Sequence, residues 1–259
     1  MSSDTAVLAL KGVSKSFGPV RALDGVDFEL HDGEVVALVG DNGAGKSTLV
    51  KAIAGINPAD SGEVRFEGEP VNITGPNDAV ELGIATVYQD LALCDNLDVV
   101  ENLFLGREEV TGTRALDETD MEQRSHDLLD QLAVTIVNVR SEVGTLSGGQ
   151  RQQVAIARSL LGEPRVVLLD EPTAALGVRQ TAQVLALVKR LRERGHGVLV
   201  ISHNVADVFE VADRIFVLRL GKKAGDYPSS ETSQDEIVAA ITGAELGRRR
   251  DGGNGGTEQ

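Results

Sequence analysis

One short stretch, Gly40-Asp41-Asn42-Gly43-Ala44-Gly45-Lys46-Ser47, constrains this chain more than any other. It fits the spacing G-x-x-x-x-G-K-[ST], with Thr48 next. It stands between a continuous apolar run, Val35–Val39, and a helix-like stretch from about Lys46 to Ala54 that Gly55 ends. An apolar run of that kind reads as a buried strand. Strand, glycine-rich turn and helix form the setting in which such a turn holds phosphate. Glycines let the backbone curl until its N–H groups face an anion, and a helix N-terminus adds partial positive charge. Lys46 is expected to reach the β- and γ-phosphates of a nucleotide, and Ser47 to offer its hydroxyl to Mg²⁺.

A second element completes this chemistry. Val166-Val167-Leu168-Leu169 reads as a buried strand that ends in two carboxylates, Asp170 and Glu171. Asp170 at the strand end suits Mg²⁺, and Glu171 beside it suits the polarisation of an attacking water. Adjacent carboxylates repel, and a bound cation eases that repulsion.

Around these motifs, strand-like and helix-like stretches alternate. Ile84–Tyr88, Val198–Ile201 and Ile215–Leu218 read as further strands, and Val184, Leu187, Val188 and Leu191 mark one face of a helix. The alternation predicts an α/β core with a mainly parallel sheet covered on both sides. Residues 1–34 and about 62–73 are rich in β-type and turn residues and predict a small antiparallel β-subdomain. Residues from about 90 to 160 predict a helical subdomain without strands. Within it, Thr119 and Glu122 have capping-box spacing before a helix through Leu132. The folded unit is expected over 6–245 and a disordered tail over 246–259, where Arg248–Arg250 reads as solvated rather than as a contact to lipid headgroups. No internal repeat is visible, so tandem units are not expected.

Leu146-Ser147-Gly148-Gly149-Gln150, before a helix to about Leu161, offers a second anion site. One nucleotide does not need two such elements from one molecule. A dimer in which each copy's Ser147–Gln150 closes over the other's nucleotide accounts for both.

Leu146–Gln150, shortly before Asp170-Glu171-Pro172-Thr173, resembles the signature of the ATP-binding cassette (ABC) family, and the resemblance runs from about Leu8 to Thr242. It implies an ABC-type P-loop NTPase fold, ATP and Mg²⁺ as cofactors, and a membrane permease as partner. It further implies that Gln89 senses Mg²⁺ and the permease, that His203 contacts the γ-phosphate, and that Phe17, in a place commonly held by Tyr, stacks on adenine. The segment Leu97–Leu105 would dock the permease, although Val99, Val100, Leu103 and Phe104 equally suit the core. Where the family often has Ser-Ala-Leu-Asp, this chain has Ala174-Ala175-Leu176-Gly177. That variant, with Gln89-Asp90-Leu91-Ala92-Leu93 and His203-Asn204, resembles monosaccharide importers, nearest to the single-cassette fructose and xylose types. Such a motor would work as two cassettes on the cytoplasmic face of the membrane, with a sugar-binding protein outside. The missing Asp suggests that main-chain contacts around Ala175–Gly177 link the two sites, with Gly177 in a conformation open only to glycine.

An export motor and a non-transport ATPase acting on ribosomes or DNA are the alternatives. The net charge of −15, from 25 basic and 40 acidic residues, disfavours nucleic acid as a partner. No apolar run approaches the roughly 18 residues that span a bilayer, and Met1–Thr5 lacks the pattern of a secretion signal. A single cysteine, Cys94, excludes an internal disulfide.

Overall fold

The computed structural model describes residues 5–112 and 115–244. The expected tail over 246–259 lies outside the described residues. The chain opens as a hairpin, β1 (Leu8–Phe17) against β2 (Val20–Leu30). It crosses to a second sheet as β3 (Val35–Val39), runs through helix α1 (Lys46–Ile53), and returns as β4 (Ser61–Phe66) and β5 (Glu69–Val71). β2, β1, β4 and β5 form the antiparallel sheet, in that order.

The second sheet takes β6 (Ile84–Val87), β7 (Val166–Asp170), β8 (Gly197–Ile201), β9 (Arg214–Arg219) and β10 (Lys222–Pro228). Its order is β10-β9-β3-β8-β7-β6, parallel throughout except for the edge hairpin β9–β10. Residues of a strand alternate between faces. Val36 and Leu38 of β3, Val166 and Leu168 of β7, and Phe216 of β9 pack toward α1 and the antiparallel sheet. There Phe28 meets Phe216 edge to face, with ring centroids 5.2 Å apart. On the other face, Val167, Leu169, Val198 and Val200 meet the helices. Each fully buried aliphatic side chain contributes roughly 1.5–3 kcal/mol, so an apolar residue at every position of β3 is what a doubly covered strand requires. The half-buried guanidinium of Arg214 ties the layers at one edge through Glu34 and Asp226, both at 2.8 Å.

Between β6 and β7 come α3 (Val99–Phe104), α4 (Glu118–Gln131) and α5 (Gly148–Leu160). Two findings correct the local reading of the sequence. A short helix, α2 (Pro76–Glu81), precedes β6, with Pro at its first position and Asp78 accepting from the N–H groups of Thr74 and Gly75. The cap of α4 is Asp117, not Thr119: the Asp117 carboxylate accepts from Asp120 N, and Thr119 falls inside the first turn. The chain is held up to that point by Asp117 N donating to Glu109 O, which leaves Asp117 in the cap position. After β7, α6 (Val178–Glu193) buries Val184, Leu187, Val188 and Leu191, the face its periodicity predicts. α7 (Val205–Val211) and α8 (Gln234–Thr242) cover the β9 side. Among the described residues no helix is long and apolar enough to cross a membrane.

Candidate functional site

Strand register gathers the chemistry on one edge. Leu38 of β3 and Asp170 of β7 both pair with Ile201 of β8, and Val87 of β6 pairs with Leu169. The residues that follow these strands therefore emerge side by side at their C-terminal ends. These are Gly40 after β3, Glu171 after β7, His203 after β8 and Gln89 after β6. Crevices at such edges are where open α/β sheets bind ligands.

The loop after β3 curls tightly. A Cβ on Gly40 would lie 2.2 Å from Leu218 O, and one on Gly45 would lie 2.6 Å from Ala22 O. Both residues also have positive φ, 151° and 108°, so only glycine fits them. Gly43 has positive φ but open space around it. Lys46 is 8% exposed. Its Nζ donates to Gly40 O at 2.7 Å and Asp41 O at 3.0 Å, and so sits in the mouth of the loop. Burial pushes its pKa down, against the opposing pull of Glu171, Asp41 and Asp170. Inside α1 the first bond of the helical ladder runs from Leu49 N to Gly45 O. The earlier N–H groups, from Lys46 to Thr48, lack an acceptor within the helix. Asp41, Asn42 and Ser47 are exposed, Ala44 is buried, and Thr48 is half-buried.

Across the edge, the half-buried Asp170 has its pKa raised, first by burial and then by the neighbouring Glu171, with Lys51 and Lys46 opposing. A carboxylate held there suits a cation. Among the described residues no three His, Cys, Asp or Glu side chains converge to hold a metal by themselves. A Mg²⁺ site would need only one or two protein oxygens, with waters and substrate phosphates completing it. Glu171 N donates to Ile201 O at 3.0 Å, and Glu171 Oε2 meets His203 Nδ1 at 2.7 Å. Gln89 is exposed and forms no hydrogen bond to the other candidates. Phe17, at the end of β1, is 46% exposed, and its ring lies 5.8 Å from Lys15 Nζ.

Ser147 caps α5 from an exposed position. Its hydroxyl accepts from Gln150 N at 3.3 Å, and Gln150 Oε1 accepts from Ser147 N at 3.1 Å. The glycines behind it answer a packing demand: a Cβ on Gly149 would come 2.8 Å from Gln180 Cβ, and one on Gly148 would come 3.3 Å from Leu176. The start of α5 thus rests on the segment that opens α6. In that segment the expectation for Gly177 fails. Its φ of −74° and ψ of 162° are open to any residue, and a Cβ there would meet only Gln180 Oε1, at 3.8 Å. The left-handed residue is instead Ala175, with φ 60°. The turn reverses there because Ala174 N and Leu176 N donate back to Glu171 O and Thr173 O.

In the segment after Gln89, Val99, Val100, Leu103 and Phe104 are core, at 0–2% exposure, while Leu105 remains exposed. Next to them a cleft of about 240 Å³ is lined by Tyr88, Leu91, Leu105 and Arg107, among others. Two features escaped sequence reasoning. Arg158 of α5 donates to the carbonyls of Leu91 and Ala92, at 3.1 and 2.8 Å. Asp207 bonds both Thr173 and Asn204. The Asn204 cap of α7, three residues before Asp207, was a readable signal for the second of these; the reach to Thr173 depends on strand adjacency.

A family model described as ABC transporter matches residues 23–174. A xylose/arabinose import ATP-binding protein of Sulfolobus acidocaldarius is 48% identical over 93% of this chain and 96% of its own length. A fructose import ATP-binding protein of Rhizobium meliloti is 46% identical over 92% and 94%. A ribose import ATP-binding protein of Caldanaerobacter subterraneus is 42% identical, and this chain covers 48% of it. Among solved structures, a nucleotide-free ATP-binding cassette from an ABC transporter superposes with a TM-score of 0.79 at 27% identity, covering 92% of this chain and 95% of its own. A dimeric cassette in a post-hydrolysis state with ADP and Pi superposes with a TM-score of 0.72 at 28% identity, covering 86% and 98%.

Proposed function

The chain belongs to the ABC transporter family of ATP-binding cassettes, and from that premise we propose that it is the ATP-hydrolysing subunit of a monosaccharide importer. The observation that carries the enzymatic reading is the meeting, on one sheet edge, of the Lys46 loop with Asp170, Glu171 and His203. The sugar reading is supported by relatives matched over nearly their full length and named for xylose/arabinose and fructose import.

The roles proposed are those the family resemblance implies, on residues the fold brings to one sheet edge. Backbone N–H groups of Gly40–Thr48 and the Lys46 ammonium cradle the phosphates. Ser47, Asp170 and Gln89 would hold Mg²⁺, which neutralises phosphate charge when bound. Glu171 polarises the attacking water. His203, held against Glu171, contacts the γ-phosphate, and Phe17 stacks on adenine. The Ser147–Gln150 turn, whose Ser147 is exposed, closes over the nucleotide of a second copy. The cleft beside Tyr88 and Leu105 receives permease subunits, which hold the chain at the cytoplasmic face of the membrane and link it to an extracytoplasmic sugar-binding protein.

The test is purification of the tagged chain from detergent-solubilised membranes, followed by reconstitution of whatever co-purifies. The expected result is a permease that, with ATP inside the vesicles and its binding protein outside, accumulates a labelled pentose or fructose. Export in place of uptake, or co-purification with ribosomes, would overturn the import reading.

A further inference from the structure

Glu171 and His203 stand on two loops that leave neighbouring strands, and a carboxylate outside both loops ties them together. Asp207 lies in the first turn of α7. Its Oδ2 accepts from Thr173 Oγ1 at 2.8 Å, and its Oδ1 accepts from Asn204 Nδ2 at 3.0 Å. Thr173 is two residues past Glu171, and Asn204 adjoins His203. Asn204 is itself anchored: its Oδ1 accepts from Ala206 N at 3.0 Å, and its N–H donates to Ser202 Oγ at 3.1 Å. One half-buried side chain therefore joins the loop carrying Glu171 to the loop carrying His203.

The pair needs such a hold. The His203 side chain is 69% exposed, so packing does not orient its ring. Glu171 has a left-handed backbone, φ 51°, which a non-glycine residue keeps only where its surroundings impose it. The neighbouring ties are local or backbone ones, Glu171 N to Ile201 O and Ala174 N to Glu171 O. Among the described residues, the Asp207 bridge alone joins the two loops through side chains beyond the Glu171–His203 contact itself.

We propose that Asp207 is a positioning residue for ATP hydrolysis, whose clasp on Thr173 and Asn204 sets the 2.7 Å approach of His203 to Glu171. The proposal rests on the reading of Glu171 and His203 as the hydrolytic pair. An acidic residue in a first turn also favours its own helix. The Thr173 bond lies outside α7 and adds nothing to that effect, which separates the two roles.

The experiment compares steady-state ATPase rate, KM for ATP and melting temperature in the full chain. The variants are Asp207→Ala, Asp207→Asn, Thr173→Val, the Ala/Val double substitution, and Glu171→Gln. Displacing a catalytic pair costs rate rather than nucleotide affinity, so Asp207→Ala and Thr173→Val should each lower kcat about tenfold with KM within about twofold. The double variant should be no slower than the worse single, because Asp207→Ala has already removed the Thr173 bond. Asp207→Asn should keep most of the rate, since an amide accepts from Asn204 while donating to the Thr173 hydroxyl. An unchanged kcat in Thr173→Val, multiplying losses in the double variant, or Asp207→Asn as slow as Asp207→Ala would each overturn the clasp. Glu171→Gln hydrolysing at the wild-type rate would instead overturn the assignment of the pair.

Discussion

Lys46 shows how the loop proposed to take the phosphates is built. Its amine, buried and bonded to Gly40 O and Asp41 O, occupies the loop that the phosphates would enter. Lys46→Ala removes the one side-chain cation in that loop and leaves the backbone donors. MgATP affinity should fall about a hundredfold or more, the loss of charge-assisted bonds to phosphate, and isothermal calorimetry checks it. An affinity within a few-fold of wild type would remove Lys46 from the site. Gly177 carries a prediction of opposite sign. It occupies the N-cap of α6 in an extended conformation with free space around it, and Asp is among the favoured residues there. Gly177→Asp should therefore be tolerated, with stability unchanged or raised by about 0.5 kcal/mol and ATPase activity near wild type. Chemical denaturation and a rate assay would show it. The error in the sequence reading has a simple origin. A glycine in place of a carboxylate suggested a backbone demand, but φ belongs to the turn, and the turn placed its left-handed residue at Ala175.

At the scale of elements, what the sequence made legible was set by periodicity and by local spacing. The apolar runs of β3 and β7, the glycine loop and the buried face of α6 each lie within one stretch of chain, and each appears in the structure as read. Interactions that join distant stretches were not readable. Gly149 looked like part of an anion-binding turn, yet its lack of a side chain is demanded by Gln180 of α6, 31 residues further along the chain. The Arg158 bonds to Leu91 and Ala92 likewise need the fold before they can be seen. The α5–α6 contact yields a prediction. Ala in a helix gains at most about 1 kcal/mol over Gly, and less in a first turn. A Cβ placed 2.8 Å from Gln180 Cβ forces a shift, at a cost of about 1–3 kcal/mol. Gly149→Ala should therefore lower the melting temperature. It should also weaken ATP-driven pairing while leaving nucleotide affinity of the single chain intact, because the Lys46 loop lies on other elements. Thermal unfolding and calorimetry separate the two effects. Loss of affinity in the single chain would place Ser147–Gln150 at the chain's own nucleotide.

At the scale of the whole molecule, the proposed working unit rests on the two turns read as anion sites. One is built around a buried lysine on a sheet edge; the other is an exposed helix cap that no cation of its own motif accompanies. An ATP held between the first turn of one copy and the second turn of another uses both, and a single chain uses only one. Closure of two copies costs orientation entropy, which permease contacts would offset, so the isolated chain should hydrolyse ATP slowly and the assembled transporter faster. The most direct measurement is light scattering during size-exclusion chromatography of Glu171→Gln, with and without MgATP. Glutamine keeps the shape of the site but does not activate water as a carboxylate does, so bound ATP should persist. The account predicts the 27.4 kDa monomer without nucleotide and twice that mass with MgATP. A chain that remains monomeric while calorimetry shows its site filled with ATP would contradict the account.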